Sequence, residues 1–343
     1  MRNRFPSLLL GAWLLLAACG AASSTSPSPT SLTRLQVGLV GSTSDAGFFI
    51  ANDKGYFKDQ GIEIEITRLD TAAKMVAPLG TGQLDVGGGA PSAGLLNAIA
   101  RDVPLKIVAD KGSMGPGHGY EAMMVRREQL DRFRTAADLK GKAVALTARD
   151  ISPEVTLDTF LRTGGLTIKD VNVVTMPHAD MGQALTNGSI DMGMPIEPFV
   201  TEFAQKGIAA IWHRDDEVFP RQQVAVVLYS PRFISDRPEL ARRFMLAYMK
   251  AVRFYNDAFE KKDAAKRKDV VQILIRNTPV KDAALYDKMV MPGLNSSGHV
   301  SLDALNFQQD WYLGKGTQKA RVDLTRAIDH QYVDWAAKRL GSA

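Results

Sequence analysis

The sequence predicts an α/β fold made of two lobes of similar design. Strand and helix patterns alternate over most of residues 35–206, which is typical of βαβ units with a largely parallel sheet. One pattern of helix, strand, turn and helix occurs twice, in residues 79–94 and in residues 185–200. The length of 343 residues favours two domains over one, and 45% hydrophobic residues is ordinary for a globular protein.

The two copies of this pattern share glycine, aspartate and proline positions. In each copy a helix ends at a Gly, an Asp precedes a short apolar strand, and a Pro follows near the next helix. These residues are Gly82, Asp85 and Pro91 in the first copy, and Gly188, Asp191 and Pro195 or Pro198 in the second. Gly suits the left-handed end of a helix, and Pro suits its first turn. The alternative is two unrelated crossovers that share these residues by chance.

The repeat also predicts where a ligand binds. Each turn after the short strand lies at the carboxyl end of a sheet, which is where open α/β sheets bind ligands. Two such turns indicate two lobes that each present a backbone-lined turn to a ligand between them.

The amino terminus predicts secretion and a lipid anchor. Residues 1–18 have a basic start, an apolar run and small residues before Cys19, as in a signal peptide. Leu16-Ala-Ala-Cys19 resembles the bacterial lipobox, and Cys19 is the only Cys of the chain, so it has no internal disulfide partner. Residues 19–32 are predicted to be a lipidated flexible linker rich in Ser, Thr, Pro and Ala. The alternative is a cleaved signal with an incidental Cys.

Charge excludes one class of partner. Without Arg2 and Arg4, which lie in the predicted signal peptide, 40 Lys and Arg stand against 37 Asp and Glu. The chain has no long basic run, so the sequence does not support nucleic-acid binding.

The first lobe begins with alternating apolar strands. Strands are predicted at residues 35–40, 62–66, 85–87 and 105–109, and helices at residues 48–54, 71–79 and 91–100. Ile62, Ile64 and Ile66 define one apolar face, and Asp70 or Thr71 can cap the helix that follows. A Gly-rich loop at residues 112–119 then leads into a strand at 120–125 that leaves this lobe.

The second lobe repeats the alternation. Strands are predicted at residues 143–147, 171–175 and 191–192, and helices at 152–163, 180–187 and 199–206. Ser152 with Pro153 opens the first of these helices, and Asp180 can cap the second. An apolar strand at 224–229 returns the chain to the first lobe, and helices follow from Pro238 to the carboxyl terminus.

Five stretches resemble a known family. They are residues 51–64, which contain DKGYFKDQGI, and residues 79–87, 103–108, 138–142 and 184–193. Together they resemble bacterial ABC-transporter substrate-binding proteins of the aliphatic sulfonate, taurine, nitrate and thiamine-precursor class. The resemblance implies a type II periplasmic-binding-protein fold, with mixed, mostly parallel sheets, two hinge strands and carboxyl-terminal helices.

The resemblance also implies domain boundaries, location and partners. The chain would cross between lobes near residues 124–127 and 222–226, so lobe one would comprise 33–126 and 223–343, and lobe two 127–222. The protein would be an extracytoplasmic monomer, anchored to a membrane through Cys19. It would pass a small organic or anionic solute to a permease with a cytoplasmic ATPase.

Turns at strand ends supply the candidate ligand-binding residues. Helix amino termini there can direct free N–H groups at a ligand, and Arg149 can bind a carboxylate or sulfonate through two hydrogen bonds. The candidates are Ser42, Thr43, Ser44, Asp45, Phe48, Asp70, Thr71, Gly88, Gly89, Ala90 and Ser92 in lobe one, and Thr147, Arg149, Ser152, His178, Asp180 and Glu197 in lobe two. Each also has a structural interpretation as a helix cap, a close-packing residue or a surface residue.

These candidates leave the charge of the ligand open. Arg149 favours an anion, whereas Asp45, Asp180 and Glu197 favour a cation or a hydrogen-bond donor. The rings of Phe48, Phe49 and Tyr120 would suit a flat ligand.

No catalytic, cofactor or metal site is predicted. The five His residues have no metal-ligand spacing, and the chain has neither Gly-x-Ser-x-Gly nor a dinucleotide fingerprint. The family includes eukaryotic enzymes that make a pyrimidine using a Cys-rich motif, but this chain has no Cys after Cys19. Its pyrimidine binders often carry Trp where this chain has Ile196. We therefore expect a non-enzymatic solute receptor, with a pyrimidine-synthase-like enzyme or a lipoprotein sensor as alternatives.

Overall fold

The computed structural model describes residues 32–341, which contain two five-stranded sheets. The first sheet contains β1 (Thr33–Leu39), β2 (Ile62–Arg68), β3 (Val86–Gly89), β4 (Lys106–Ser113) and β10 (Gln223–Tyr229). The second contains β5 (Ala122–Arg126), β6 (Ala143–Leu146), β7 (Asn172–Thr175), β8 (Met192–Gly193) and β9 (Ala209–Arg214). The predicted signal peptide and Cys19 lie outside the described residues. Within residues 32–341, no helix has the length and apolar character needed to span a bilayer.

The two sheets have the same topology. Their strand orders are β2-β1-β3-β10-β4 and β7-β6-β8-β5-β9. In each sheet the first three strands are parallel, and the fourth is antiparallel to its neighbours. That antiparallel strand is the one through which the chain enters the sheet from the other lobe. The predicted two-lobe α/β fold is confirmed, and both sheets are mixed.

The chain passes between the sheets twice, at residues 114–121 and 215–222. The first passage lies earlier than the predicted crossing near residues 124–127. Residues 122–126 form β5, which pairs with β8 and β9 inside the second sheet. An apolar strand at this point of the sequence fits either sheet, so its pattern does not show where the crossing ends.

The helices cover the sheets. In lobe one they are α1 (Ala46–Asp53), α2 (Tyr56–Asp59), α3 (Val76–Thr81) and α4 (Ala93–Ala100). In lobe two they are α5 (Ser152–Thr163), α6 (His178–Asn187) and α7 (Phe199–Gln205), and α8 (Asp215–Val218) lies in the second passage. The carboxyl-terminal helices are α9 (Pro231–Asp236), α10 (Pro238–Phe259), α11 (Ala264–Asn277), α12 (Ala283–Tyr286), α13 (Leu302–Lys315), α14 (Leu324–Ala327) and α15 (Gln331–Leu340).

The repeated Gly and Asp residues have matching structural roles. Gly82 and Gly188 end their helices in the left-handed conformation, with φ of 75° and 79°. The Oδ2 atoms of Asp85 and Asp191 each accept a hydrogen bond of 2.9 Å, from the amides of Gln36 and Ala143 respectively. Each Asp therefore ties the start of a short strand to the neighbouring strand.

Two predicted helix starts are wrong by two residues. Helix α4 begins at Ala93 rather than Pro91, because Ser92 Oγ caps it by accepting the Leu95 amide at 3.1 Å. Helix α6 begins at His178 with Pro177 before it, so Asp180 lies within the first turn and is exposed. The predicted cap at Thr71 is confirmed, because its Oγ1 accepts the Ala73 amide at 3.4 Å.

Helix α10 packs against α1 to form the main core of lobe one. The ring of Phe48 lies 5.0 Å from that of Tyr248 and 6.1 Å from that of Phe244, measured between centroids. Phe48 and Phe49 are fully buried in this core. Their rings therefore stabilise the lobe, and the prediction that Phe48 contacts a ligand is not supported by its position.

Candidate functional site

A small cavity lies between the two sheets, which we call the interlobe cavity. Its volume is about 40 Å³, room for about three water molecules. Its walls come from strand ends of both lobes and from the first passage: Val40, Ser42, Ser44, Asp70, Thr71, Ala72, Gly89, Ala90, Lys111, Tyr120, Glu121, Thr147, Ile151, Pro153, His178, Ile196, Val224 and Ala225. This is the position that the repeated turns predict.

The predicted residues divide into those that line this cavity and those that do not. Ser42, Ser44, Asp70, Thr71, Gly89, Ala90, Thr147 and His178 line it. Thr43, Asp45, Phe48, Gly88, Ser92, Arg149, Ser152, Asp180 and Glu197 do not. Contacts with neighbouring groups explain the positions of most residues that do not line the cavity.

Asp45 forms a buried ion pair instead of facing the cavity. Its Oδ1 lies 2.8 Å from Lys111 Nζ, and both side chains are at most 1% exposed. Its Oδ2 accepts the amides of Gly41 at 2.6 Å and Ser42 at 2.9 Å. Lys111 Nζ also donates to Ser44 Oγ at 2.8 Å. Asp45 therefore neutralises Lys111 and fixes the turn that carries Ser42 and Ser44.

Glycines make room for this arrangement. A Cβ on Gly88 would lie 2.8 Å from Lys111 Cε, and one on Gly112 would lie 2.6 Å from the Tyr120 hydroxyl oxygen. Both separations are shorter than real Cβ contacts. Gly88 therefore packs against the Lys111 stem, while Gly89 is the residue of this turn that lines the cavity.

Arg149 is held away from the cavity by a buried acid. Its Nε lies 2.7 Å from Oε1 of Glu154, which is fully buried. Lys315 Nζ lies 2.9 Å from the same oxygen. A buried carboxylate requires a partner, so Glu154 pairs with Arg149 and with Lys315. Arg149 is therefore not positioned to bind an anion in the cavity.

Ser152 and Glu197 are also satisfied internally. Ser152 Oγ donates to the Val224 carbonyl at 3.1 Å. The Glu197 carboxylate accepts the amide and hydroxyl of Thr201 at 2.9 and 2.8 Å. Burial raises the pKa of this carboxyl. Its role is to cap α7 rather than to meet a ligand.

Direct hydrogen bonds hold the two lobes together around the cavity. Thr43 donates from its amide and its hydroxyl to the Glu197 carbonyl, at 3.3 and 3.2 Å. Ser152 donates its amide to the Pro91 carbonyl at 3.2 Å. The cleft is therefore closed, and a solute larger than a few waters requires the lobes to separate.

The tail of the chain adds contacts to lobe two. Helix α13 packs against the core of lobe one through Leu305 and Tyr312. From the same helix, Trp311 Nε1 donates to Asp158 Oδ2 on α5 at 2.7 Å. Helix α13 therefore helps to hold the closed arrangement.

Two buried acids, Glu121 and Asp215, meet at the passages between the sheets. Glu121 ends the first passage and lines the cavity, and Asp215 begins the second and donates its amide to the Glu121 carbonyl at 3.2 Å. Both side chains are 0% exposed. No donor in residues 32–341 reaches any of their four carboxyl oxygens. Thr156 Oγ1 donates to Gln222 Oε1 at 2.7 Å and lies close enough to Asp215 to lower the pKa of that carboxyl.

Such a pair has to share a proton. Two carboxyl groups hydrogen-bond to each other only when one is protonated, and like charges in a shared site raise one pKa strongly. Burial, followed by the neighbouring charge of Asp215, raises the pKa of Glu121 well above its usual range. Burial likewise raises the pKa of Asp215 to about 6. Near neutral pH the pair therefore carries at most about one negative charge and can still accept hydrogen bonds.

Two further polar residues of the wall are neutral at pH 7. Burial lowers the pKa of His178 to about 4, so its imidazole is uncharged. Burial raises the pKa of Tyr120 well above 10, so its phenol keeps its proton. Both can exchange hydrogen bonds with a polar solute without changing charge. No group of three or more His, Cys, Asp or Glu side chains within residues 32–341 is arranged to hold a metal ion.

The sequence did contain a signal for the missed residues. Lys111 and Glu121 are charged residues within or beside apolar strand patterns, at 105–113 and 120–126. A charged side chain in such a run is buried only if a partner neutralises it or its pKa shifts toward the neutral form. The signal does not indicate the neighbour that decides this, which is Asp45, 66 residues away, for Lys111 and Asp215, 94 residues away, for Glu121.

Comparison with known proteins places the chain among curated relatives of two kinds. It is 24% identical to 4-amino-5-hydroxymethyl-2-methylpyrimidine phosphate synthase of Aspergillus parasiticus over 308 residues, covering 84% of each chain. It is 25% identical to a putative binding protein of Brucella abortus, over 60% of this chain and 61% of that protein.

Solved structures show the same fold. The alkanesulfonate-binding protein of Xanthomonas axonopodis pv. citri superposes with a TM-score of 0.71 at 18% identity, covering 88% of this chain and 99% of the other. The nitrate-binding protein of Synechocystis PCC 6803 gives a TM-score of 0.70 at 13% identity, covering 90% and 89%. The fold is thus that of the periplasmic binding proteins.

Residues 42–262, more than half of the chain, match the family described as NMT1/THI5 like. This range contains both copies of the repeat, both passages and every residue that lines the interlobe cavity except Val40. The protein therefore belongs to the NMT1/THI5-like family.

Proposed function

We propose that this protein is the extracytoplasmic solute-binding component of an ABC importer. It captures a small solute between its lobes as a monomer and delivers it to a membrane permease with a cytoplasmic ATPase. The observation that carries the proposal is a cavity lined by strand-end turns of both lobes. The alkanesulfonate-binding and nitrate-binding proteins that share the fold support it.

Binding would proceed through opening and closure of the cleft. The hydrogen bonds from Thr43 and Ser152 across the lobes break when the cleft opens. A solute then contacts both lobes only after closure, so it stabilises the closed form through that difference in contacts. The permease would distinguish the two forms by the relative position of the lobes.

Within the cavity we propose roles for the lining residues. The hydroxyls of Ser42, Thr71 and Thr147 and the neutral imidazole of His178 would exchange hydrogen bonds with the solute. The backbone at Gly89 would approach the solute closely, since Gly carries no side chain.

A second candidate is an enzyme on the same fold. The similarity to the Aspergillus parasiticus synthase extends over 84% of the chain and favours it. A lipoprotein that reports a solute to a signalling partner is a third. Recovery of the bound molecule separates a receptor from an enzyme, because a receptor releases its solute chemically unchanged.

The test is a thermal-shift screen of small solutes followed by analysis of what the protein releases. At about 100 times its dissociation constant a true solute should add roughly 2.7 kcal/mol of stability. We expect the stabilising solute to be recovered intact after denaturation. Conversion of that solute during incubation would favour the enzyme instead.

The membrane anchor is a separate proposal that rests on Cys19, outside the described residues. If Cys19 carries the lipid, Cys19→Ala should move the protein from the membrane pellet to the soluble fraction of cells. Solute affinity should not change, because the linker lies outside the family match at residues 42–262. Unchanged membrane association of this variant would contradict the proposal.

A further inference from the structure

We propose that the Glu121 carboxyl, which lines the interlobe cavity and has the buried Asp215 as its neighbour, binds a nitrogen-bearing hydrogen-bond donor of the solute. Suitable groups are an amidine, a guanidine or a primary amine. The inference rests on the proposed function, because it names the class of solute that the interlobe cavity selects.

The two carboxyl groups have unused hydrogen-bonding capacity. Both side chains are fully buried, and no donor in the described part of the chain reaches their carboxyl oxygens. A single shared proton satisfies one acceptor position and leaves the others open. Buried polar groups are otherwise hydrogen-bonded, so the Glu121 carboxyl at the cavity wall is suited to accept a hydrogen bond from the solute.

The charge of the cavity also favours a nitrogen-bearing donor over an anion. Lys111 is the only Lys or Arg among the lining residues, and its charge is compensated by Asp45 at 2.8 Å. Asp70 is exposed and pairs with Lys74 at 2.6 Å. These pairs leave Glu121, with Asp215 as its buried neighbour, as the acid of the wall that no cation compensates. A sulfonate or nitrate would be repelled by this charge, whereas a cationic or N–H-rich group would be attracted.

Glu121 and Asp215 lie where the two passages meet. Glu121 and Asp215 continue the ladder of β5 and β9, whose last pair before them is Ala122 with Arg214. A donor bound to Glu121 would therefore contact the first passage at the point where its backbone is hydrogen-bonded to the second. Solute binding would stabilise one geometry of the passages, which links recognition to closure.

The test uses solutes matched in shape and opposite in charge. Thermal shifts of the wild type would be measured with benzamidine against benzoate, ethylamine against ethanesulfonate and methylguanidine against nitrate. We expect stabilisation by one or more nitrogen compounds and not by the matched anions.

The decisive variant is Glu121→Gln, which keeps the shape and removes the charge. The new amide can donate to Asp215 without a shared proton, so the variant should melt no lower than the wild type in the absence of solute. Its affinity for the nitrogen compound should fall at least about ten-fold. Asp215→Asn should lose less, because Glu121 then remains as an anionic acceptor beside a donor amide.

Glu217→Gln is the matched control. It removes one negative charge from the same short helix as Asp215, but its side chain is 58% exposed and does not line the cavity. It should bind like the wild type.

The possible outcomes separate this inference from the proposed function. Binding of anions alone would overturn the inference and leave the solute receptor intact. Equal affinity of the wild type and Glu121→Gln for a nitrogen compound would also overturn the inference. If no member of either class stabilised the protein, the result would overturn the inference and count against the receptor as well.

Discussion

Replacing Gly89 by Val should remove most solute binding and also lower the melting temperature. A Cβ at this position would lie 2.4 Å from the Cβ of Ala72 and 3.2 Å from its Cα, so one of the two segments has to move. Overpacking of this kind costs about 1–3 kcal/mol. Gly89 also lines the interlobe cavity, so the Val side chain would narrow a space of only about 40 Å³. Affinity should fall by roughly ten-fold or more, about 1.4 kcal/mol.

Melting without solute and equilibrium binding with solute would be measured on the same preparations. The control is Gly94→Ala in α4, where the nearest atom to an added Cβ is Ser92 Oγ at 3.7 Å. That change should be tolerated, because Ala is the better helix former. A folded Gly89→Val protein with normal stability and full affinity would show that this turn has no part in binding.

Lys111→Met should be the most destabilising single change at the cavity. It leaves the Asp45 carboxylate buried without its cation, and removal of one partner of a buried pair costs about 3–5 kcal/mol. The hydrogen bond to Ser44 is lost with it. Denaturant unfolding should therefore show a midpoint well below that of the wild type.

Two comparisons make this result interpretable. Adding Asp45→Asn to Lys111→Met removes the orphaned charge and should recover part of the stability, which a double-mutant cycle would detect. Lys74→Met breaks the exposed pair with Asp70 and should cost at most about 1 kcal/mol. If Lys111→Met cost no more than Lys74→Met, the buried ion pair would not be a structural element of the site.

Much of the fold follows from local patterns in the chain. The Gly and Asp residues of the repeat predict equivalent turns because Gly82 and Gly188 need the left-handed conformation that Gly adopts freely. The crossing into lobe two was less predictable. Residues 122–126 form β5, whose sheet partners are set by tertiary packing, and the crossing near residues 124–127 that the family resemblance implied lies later than the first passage.

The site was predictable in position but not in its charged groups. The strand-end turns predicted Ser42, Gly89 and Thr147 as candidates, and these residues line the cavity because parallel strands bring their carboxyl ends to one edge. Asp45 pairs with Lys111 and Arg149 pairs with Glu154, so neither Asp45 nor Arg149 is free to bind a solute as the sequence suggested. These pairings depend on contacts between separate elements and on the burial of one partner.

We propose that a solute binds between the lobes and holds them closed. The most direct test is small-angle X-ray scattering of solute-free protein and of protein saturated with the solute that the screen identifies. Hydrogen bonds between the lobes close the cavity, so the solute-free protein must open for a solute to enter. We predict a smaller radius of gyration for the saturated protein. Identical scattering profiles, with binding confirmed in the same samples, would contradict capture by closure of two lobes.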